Sequence, residues 1–453
     1  MAPPPRPPPE LVADIVGEIL LLLPPTDPAT LVRASVVCKL WRRLLADPSF
    51  HRRYRAIHDT PLLGFLHDHY TYGAVSVPRF VSTLPRRSSP FPQPKLGHRD
   101  CSVLDCRHGR VLFDVCGYSI NLIVWDPITG HRHELPEPPI VRSLYSAAVL
   151  CAATVSGECD HLDCHGDPFL VVLMALDVTE SVMQAHVYSS ETGAWNLSAH
   201  RDLRLHVARK PASTLIDDNI YFALDSAIIT TLLRYDMYKN CLSTIDAPAS
   251  HAHEGGGFAT LAMEDGSLGF VHIRDACLHL WSRNDVDTEV DDDGWELWRS
   301  FELGAYIPNP CSQVSVVGSA EDAGFIFLST DFGLFAAGLG SGWMHRVSEP
   351  GHYDAVFPFM SFYTSCSLPS YSVEIEIAIL EVCVHSAENT MAPPRLRQPP
   401  ELMPEIVEEI LLRVPPDDPA TLTRASTVCK HWRRCNIPEF WMFEKCEFSK
   451  TSV

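Results

Sequence analysis

By type and spacing, the residues most suited to chemistry are the cysteines and histidines of Cys159-Asp-His161-Leu-Asp-Cys164-His165. Thiolates and imidazoles this close together are what a tetrahedral zinc ion takes. Structural zinc sites use four ligands, often as two short pairs, and no second pair stands at a regular distance. No metal is therefore assigned, and the stretch reads as a polar loop between strands. His251 and His253, beside Gly255-Gly256-Gly257, would need distant ligands. The acidic run from Asp285 to Gly294 lacks the glycine and terminal glutamate placement of an EF-hand loop and reads as a solvated insertion. Gly338, Gly340 and Gly342 make no phosphate cradle, since no Lys-Ser/Thr follows and no helix opens there. Trp125, Tyr188, Tyr235, Trp281 and Trp343 read as core aromatics. No nucleophile elbow, catalytic set or cofactor motif emerges.

Composition narrows the classes. A chain of 453 residues with 46% hydrophobic content can build two or more domains. It has no uncharged apolar run of about 18 residues, so no membrane span is expected. The opening MAPPPRPPPE is proline-rich and has no apolar leader region. Fifteen cysteines, an odd number irregularly spaced, fit reduced thiols in the cytosol or nucleus. A net charge of −20 argues against a nucleic-acid surface, which needs a basic stripe. The cluster of Arg42, Arg43, Arg52, Arg53 and Arg55 reads as a solvated helix face.

The elements start with Pro9 to Phe50. Leu11, Ile15, Ile19 and Leu22 fall at helical spacing, and Val12, Val16, Leu20 and Leu23 form an adjoining stripe. Only Glu10, Asp14 and Glu18 mark a polar edge, so the apolar arc is wider than one core-facing stripe needs. Pro24-Pro25 ends the helix, because proline lacks the donor and clashes with the preceding turn. Pro28 starts another, and Val37, Trp41 and Leu45 carry the inner face onward. So small a unit leaves apolar surface over, either to pack on the rest of the chain or to dock another protein. Leu11, Ile15, Glu18-Ile19-Leu20, Leu23-Pro24 and Val37-Cys38-Lys39 before Trp41-Arg42 resemble the F-box. The usual Leu-Pro opening of that family is Leu11-Val12 here. The resemblance implies a three-helix module over residues 7–57 that docks on a Skp-type adaptor, and through it a cullin, by Leu11, Ile15, Ile19, Leu20, Leu23, Val37, Cys38, Lys39 and Trp41.

From Cys101 the period turns alternating: Arg110 to Phe113, then Leu122 to Trp125, each bounded by turn residues. In VWDPITGHRHELP, Asp126-Pro127 sets a turn, Gly130 supplies a positive φ and a polar strand returns antiparallel. Trp125, Tyr188, Tyr235, Trp281 and Phe335 each sit near a strand end before a turn. Their recurrence is that of a four-stranded propeller blade. Met263-Glu264-Asp265-Gly266 reads as a hairpin turn, and the segment Ser76 to His98 as loop with short extended pieces. A β-sandwich or an irregular α+β fold are the alternatives to an all-β propeller of about six blades. CRHGRVLFD and LIVWDPITG resemble the kelch-like F-box-associated β domain of plant F-box proteins, which implies a propeller over residues 60–385.

The chain then repeats itself. After a linker, 386–399, the segment 400–446 restates the opening module, matching at about seven positions in ten over its best-matching stretch. Leu402, Ile406, Ile410, Val428, Cys429, Lys430 and Trp432 stand where the first copy has its docking pattern. Leu40, Leu44 and Leu45 are replaced by His431, Cys435 and Asn436, so this second small α segment is a weaker F-box. The expected protein is thus multi-domain: a non-catalytic receptor whose F-box docks the adaptor and whose propeller binds an unknown target for ubiquitination. A binding scaffold outside any ligase, or an enzyme with a site in the propeller channel, are the rivals.

Overall fold

The computed structural model describes residues 13–362, apart from short internal stretches of which the longest are 84–99, 249–256 and 284–293. Leu11, His251, His253, most of the acidic run from Asp285, and the whole second copy, from Leu402 to Trp432, lie outside the described residues. Two compact units divide the chain: Thr60–Phe362, and the segments before and after it.

The first unit is helical. α1 (Ala13–Leu21) buries Val16, Ile19, Leu20 and Leu21. Its last turn tightens, with Leu22 and Leu23 amides donating to the Ile19 and Leu20 carbonyls, before Pro24-Pro25 stops it. α2 (Pro28–Val37) opens on proline, whose missing donor costs nothing in a first turn. Cys38 is extended and separates α2 from α3 (Lys39–Leu45), which buries Trp41 and Leu45 at i,i+4 spacing. A fourth helix, α4 (Pro48–Ile57), follows. Asp47 caps it by accepting the Ser49 amide at 2.8 Å. Phe50 and Tyr54 stack 5.7 Å apart, and the Tyr54 hydroxyl donates to the Leu23 carbonyl at 2.7 Å. That bond ties the end of α1 to α4 and meets the polar need of a buried phenol.

The second unit is a ring of six antiparallel sheets. Blade 1 pairs β1 (Leu62–Thr71) with β2 (Val75–Ser82) on one side and with the chain's last described strand on the other. Blade 2 comprises β3 (Cys101–Arg107), β4 (Arg110–Val115), β5 (Asn121–Trp125) and β6 (Arg132–Glu134). Blade 3 comprises β7 (Leu144–Cys151), β8 (Phe169–Asp177), β9 (Val182–Ser189) and β10 (Ala194–Asp202). Blade 4 comprises β11 (Ala208–Ile216), β12 (Asn219–Asp225), β13 (Thr230–Asp236) and β14 (Cys241–Asp246). Blade 5 comprises β15 (Phe258–Ala262), β16 (Leu268–Arg274), β17 (Cys277–Arg283) and β18 (Trp295–Glu302). Blade 6 comprises β19 (Ser315–Ala320), β20 (Phe325–Thr330), β21 (Gly333–Gly338) and β22 (Met344–Ser348). β23 (Val356–Met360) then returns to pair with β1 and becomes the innermost strand of blade 1. The inner strands β3, β7, β11, β15, β19 and β23 touch in that order and β23 touches β3, which closes the ring.

Burial follows position in the blade. Every residue of β4 is buried, because its sheet is covered on both faces, whereas the outer β18 is largely exposed. Each apolar cluster spans two neighbouring blades: Leu112 and Val124 with Val171 and Leu173, and Met174 and Ala185 with Phe222 and Leu233. One correction concerns Ser76 to Ser82, which is strand and not loop. Pro78 is tolerated there because β2 borders only β1 among the described strands, so its missing donor breaks no ladder bond. Another concerns Trp343, which is 40% exposed and lies across Gly338, where a Cβ would collide with the indole.

Candidate functional site

The eight expected docking residues that are described, all but Leu11, differ in burial. Leu20 is 0% exposed, and Ile19, Leu23 and Trp41 are also buried, so these four pack within the unit in the free chain. Ile15 is 36% exposed, Val37 is half-buried, and Cys38 and Lys39 are exposed. Leu40, 38% exposed, joins them and was missed by the sequence reading. Its signal was helical phase: with Trp41 and Leu45 turned inward on α3, the leucine before Trp41 points away. Ile15, Val37 and Leu40 thus keep apolar surface uncovered within the unit, with Lys39 next to Leu40 in the chain.

In the ring, side chains bridge the inner strands. The Arg107 guanidinium pairs with Asp105 at 2.9 Å and donates to the Ser213 carbonyl of β11 at 2.9 Å. Asp105 also accepts the Val149 amide of β7 at 2.8 Å, so one ion pair ties three blades. Burial pushes the Asp105 carboxyl up, against the opposing pull of Arg107. Thr214 and Thr260 share a 2.6 Å hydroxyl bond between β11 and β15, and Ser319 of β19 donates to the Thr260 carbonyl at 2.8 Å. Such bonds make a rigid support for loops.

A cavity of about 370 Å³ opens where blades 2 and 3 bring their first–second and third–fourth strand connections to the same end. Asp126 and His131 come from the β5–β6 turn, Asp167 and Phe169 from the approach to β8, and Ser190 and Glu191 from the β9–β10 turn. The sequence predicted that turn at Asp126-Pro127: Asp126 Oδ1 accepts the Ile128 and Thr129 amides at 2.8 and 3.1 Å, and Gly130 has φ of 71°. His133 and the Tyr188 hydroxyl share a 2.7 Å hydrogen bond beneath it. The Arg110 guanidinium lies 5.6 Å over the Phe169 ring and donates to the Asp167 carbonyl at 2.6 Å and to the Cys164 carbonyl. Its donors are thus engaged in holding the loop. Phe169 and Val124 give the cavity an apolar patch among charged and polar residues, Asp126, Asp167, Glu191, Arg110, His131 and His133.

Beside that cavity, Cys159, His161 and Cys164 come together with Cys151, the last residue of β7. The sequence reading missed Cys151, which stands alone in a strand and shows no paired spacing. Burial pushes the Cys151 and Cys164 thiols up, and Cys159 adds to the effect at both. Burial also pushes His108, behind the cluster, down to about 2, so its ring is neutral. The Gly338-to-Gly342 stretch is the β21–β22 turn, with the Gly342 amide donating to the Gly338 carbonyl at 3.0 Å.

A helical docking unit joined to a closed six-bladed propeller defines an F-box protein with a β-propeller partner domain. The family model "F-box protein AT5G49610-like, beta-propeller" matches residues 102–365, and the chain belongs to that family. The F-box domain model matches twice, at residues 9–53 and 400–443. Among solved structures, TolB from Acinetobacter baumannii is 10% identical, covering 70% of this chain and 71% of its own, with a TM-score of 0.38. The WD40 domain of SCAP from fission yeast is 13% identical over 55% of each chain, with a TM-score of 0.31. The GH93 α-L-arabinofuranosidase of Fusarium graminearum is 11% identical, covering 56% of this chain and 82% of its own, with a TM-score of 0.31. No curated protein sequence matches the chain.

Proposed function

We propose that this protein is a substrate receptor of a Skp–cullin–F-box ubiquitin ligase, working in the cytosol or nucleus. The observation that carries the reading is one chain with an F-box at residues 9–53 followed by a family-matched propeller at 102–365. Ile15, Val37, Cys38, Lys39 and Leu40 present the edge that a Skp-type adaptor covers, and the adaptor brings the cullin. The propeller offers a target the connections around the blade 2–blade 3 cavity. Ubiquitin transfer then falls to partner subunits, and this chain contributes proximity and orientation. The test is capture of a purified Skp-type adaptor and cullin by the full chain. A stoichiometric ternary complex is expected. Failure to hold the adaptor sinks the reading, and adaptor held without cullin leaves a scaffold outside any ligase.

A further inference from the structure

The four ligand atoms of Cys151, Cys159, His161 and Cys164 all lie within 4.8 Å of one another. Two of the distances between them match those of a tetrahedral zinc site. Cys159 and Cys164 sulfurs are 3.6 Å apart, and the Cys164 sulfur is 3.7 Å from His161 Nδ1. Zinc bonds of about 2.3 Å to sulfur and about 2.0 Å to nitrogen, at tetrahedral angles, put two sulfurs about 3.8 Å apart and a sulfur and a nitrogen about 3.6 Å apart. A disulfide would need about 2.05 Å, and these cysteines are free.

The surroundings are built to hold these ligands in place. The His161 amide donates to the Cys159 sulfur at 3.3 Å, the kind of bond that stabilises a thiolate. His161 has φ of 56°, a left-handed turn that swings its ring back toward Cys164. The His108 ring stacks on the His161 ring at 4.1 Å and 15°, fixing its plane. His108 Nδ1 accepts the Cys151 amide at 3.1 Å. Arg110 grips the Cys164 carbonyl from the other side. Cys151 and Cys164 are each 2% exposed.

We infer that Cys151, Cys159, His161 and Cys164 form a closed structural zinc site that fastens the β7–β8 connection to the end of β7, beside the β3–β4 turn. Three thiolates and one imidazole favour zinc over hard cations, and four protein ligands leave no open position for catalysis. The connection it fastens runs on into Gly166 to Phe169, which line the cavity between blades 2 and 3. The metal therefore sets the shape of one wall of that cavity. The inference stands on local geometry and does not depend on ligase membership.

The full chain, purified under reductant without chelator, should carry about one equivalent of zinc by mass spectrometry of its metals. Exchange for cobalt should give the intense visible bands of a tetrahedral ion with thiolate charge transfer. Outer-sphere partners alone are worth about 10–100-fold in metal affinity, so Cys159→Ser should weaken zinc binding by about 100-fold or more. Cys38→Ser and Cys241→Ser, at exposed cysteines outside the cluster, should leave the zinc in place. His161→Cys keeps four ligands, so it should retain zinc while shifting the cobalt spectrum, which stays informative if Cys159→Ser fails to fold. Zinc well below one equivalent in the full chain, zinc lost equally in Cys38→Ser, a His161→Cys cobalt spectrum identical to that of the parent, or a Cys159–Cys164 disulfide found in the reduced protein would overturn the site.

Discussion

Single side chains decide what the helical unit can offer a partner. Ile15 and Leu40 are exposed while Leu20 is fully covered, so charge at these positions should have different consequences. Ile15→Asp or Leu40→Asp should leave the melting of the protein unchanged and weaken adaptor capture by about 30-fold, the effect of losing an anchor worth about 2 kcal/mol. Leu20→Asp should instead unfold the unit, because it puts a charge where nothing pairs it. Adaptor affinity unmoved by both surface changes would dismiss this edge as the docking site. In the ring, burial lowers the pKa of His67 and of His186, and His69 and Arg79 add to the effect at His67. Both rings are neutral in the fold but free to take a proton once unfolded. The unfolded chain then binds more protons below the ordinary value of 6.5, so the stability these rings allow is present above that pH and lost as pH falls through their lowered values. Urea midpoints should drop between pH 7.5 and 5.5, and His67→Phe should flatten the slope; an unchanged slope in that variant would remove His67 from the account.

Elements were legible where one residue type recurs for a physical reason. Trp125, Tyr188, Tyr235, Trp281 and Phe335 all fall in the third strand of their blades, opposite Val111, Val171, Ile220, Phe270 and Leu328 of the second. The turn after four of these strands needs a residue at positive φ, and Gly130, Gly193, Asn240 and Gly342 supply it. The Met263-to-Gly266 hairpin forms as read, with the Gly266 amide donating to the Met263 carbonyl at 2.9 Å. Periodicity could not say which apolar stripe of α1 faces inward. Ile15 and Ile19 share a face on a helical wheel, yet only Ile19 meets the other helices, because burial depends on where α3 and α4 cross. Cys151 escaped for a similar reason: its neighbours in space come from across a connection, and sequence spacing carries no record of that. Trp41 anchors α3 inside the unit, and Trp41→Ala should cost about 3–5 kcal/mol. Amides of α2 to α4 should lose hydrogen-exchange protection while those of β4 and β8 keep theirs. Protection lost in both places would mean that the two units fold as one.

At the scale of the whole molecule, the ring is closed by a strand that the sequence assigned to no particular place. β23 comes from the far end of the propeller segment and supplies the inner strand of the blade begun by β1 and β2. Its Val356 packs with Phe65 and Phe327, and its register sets Phe357 opposite Leu66. A chain ended at residue 365 retains this strand, and one ended at residue 355 does not. The shorter chain leaves β1, β3 and β19 with unpaired or uncovered inner surface, and an open ring exposes the edges that closure removes. The chain ending at 365 should therefore melt as one cooperative propeller, and the chain ending at 355 should aggregate or lose its cooperative transition. Equal melting of the two would show that the closing strand is dispensable. The same longer truncation lacks the second F-box match at 400–443. The second match has His431, Cys435 and Asn436 where the first copy has Leu40, Leu44 and Leu45, and Pro438 follows closely. Of these three only Leu45 is buried in the first copy, and losing such a burial removes about 1–3 kcal/mol from a unit too small to spare it. Adaptor capture by the chain ending at 365 should therefore equal that of the full chain. A several-fold loss would instead make the second copy a working docking site and the protein bivalent, since tethering two sites to one partner assembly raises avidity without any new contact.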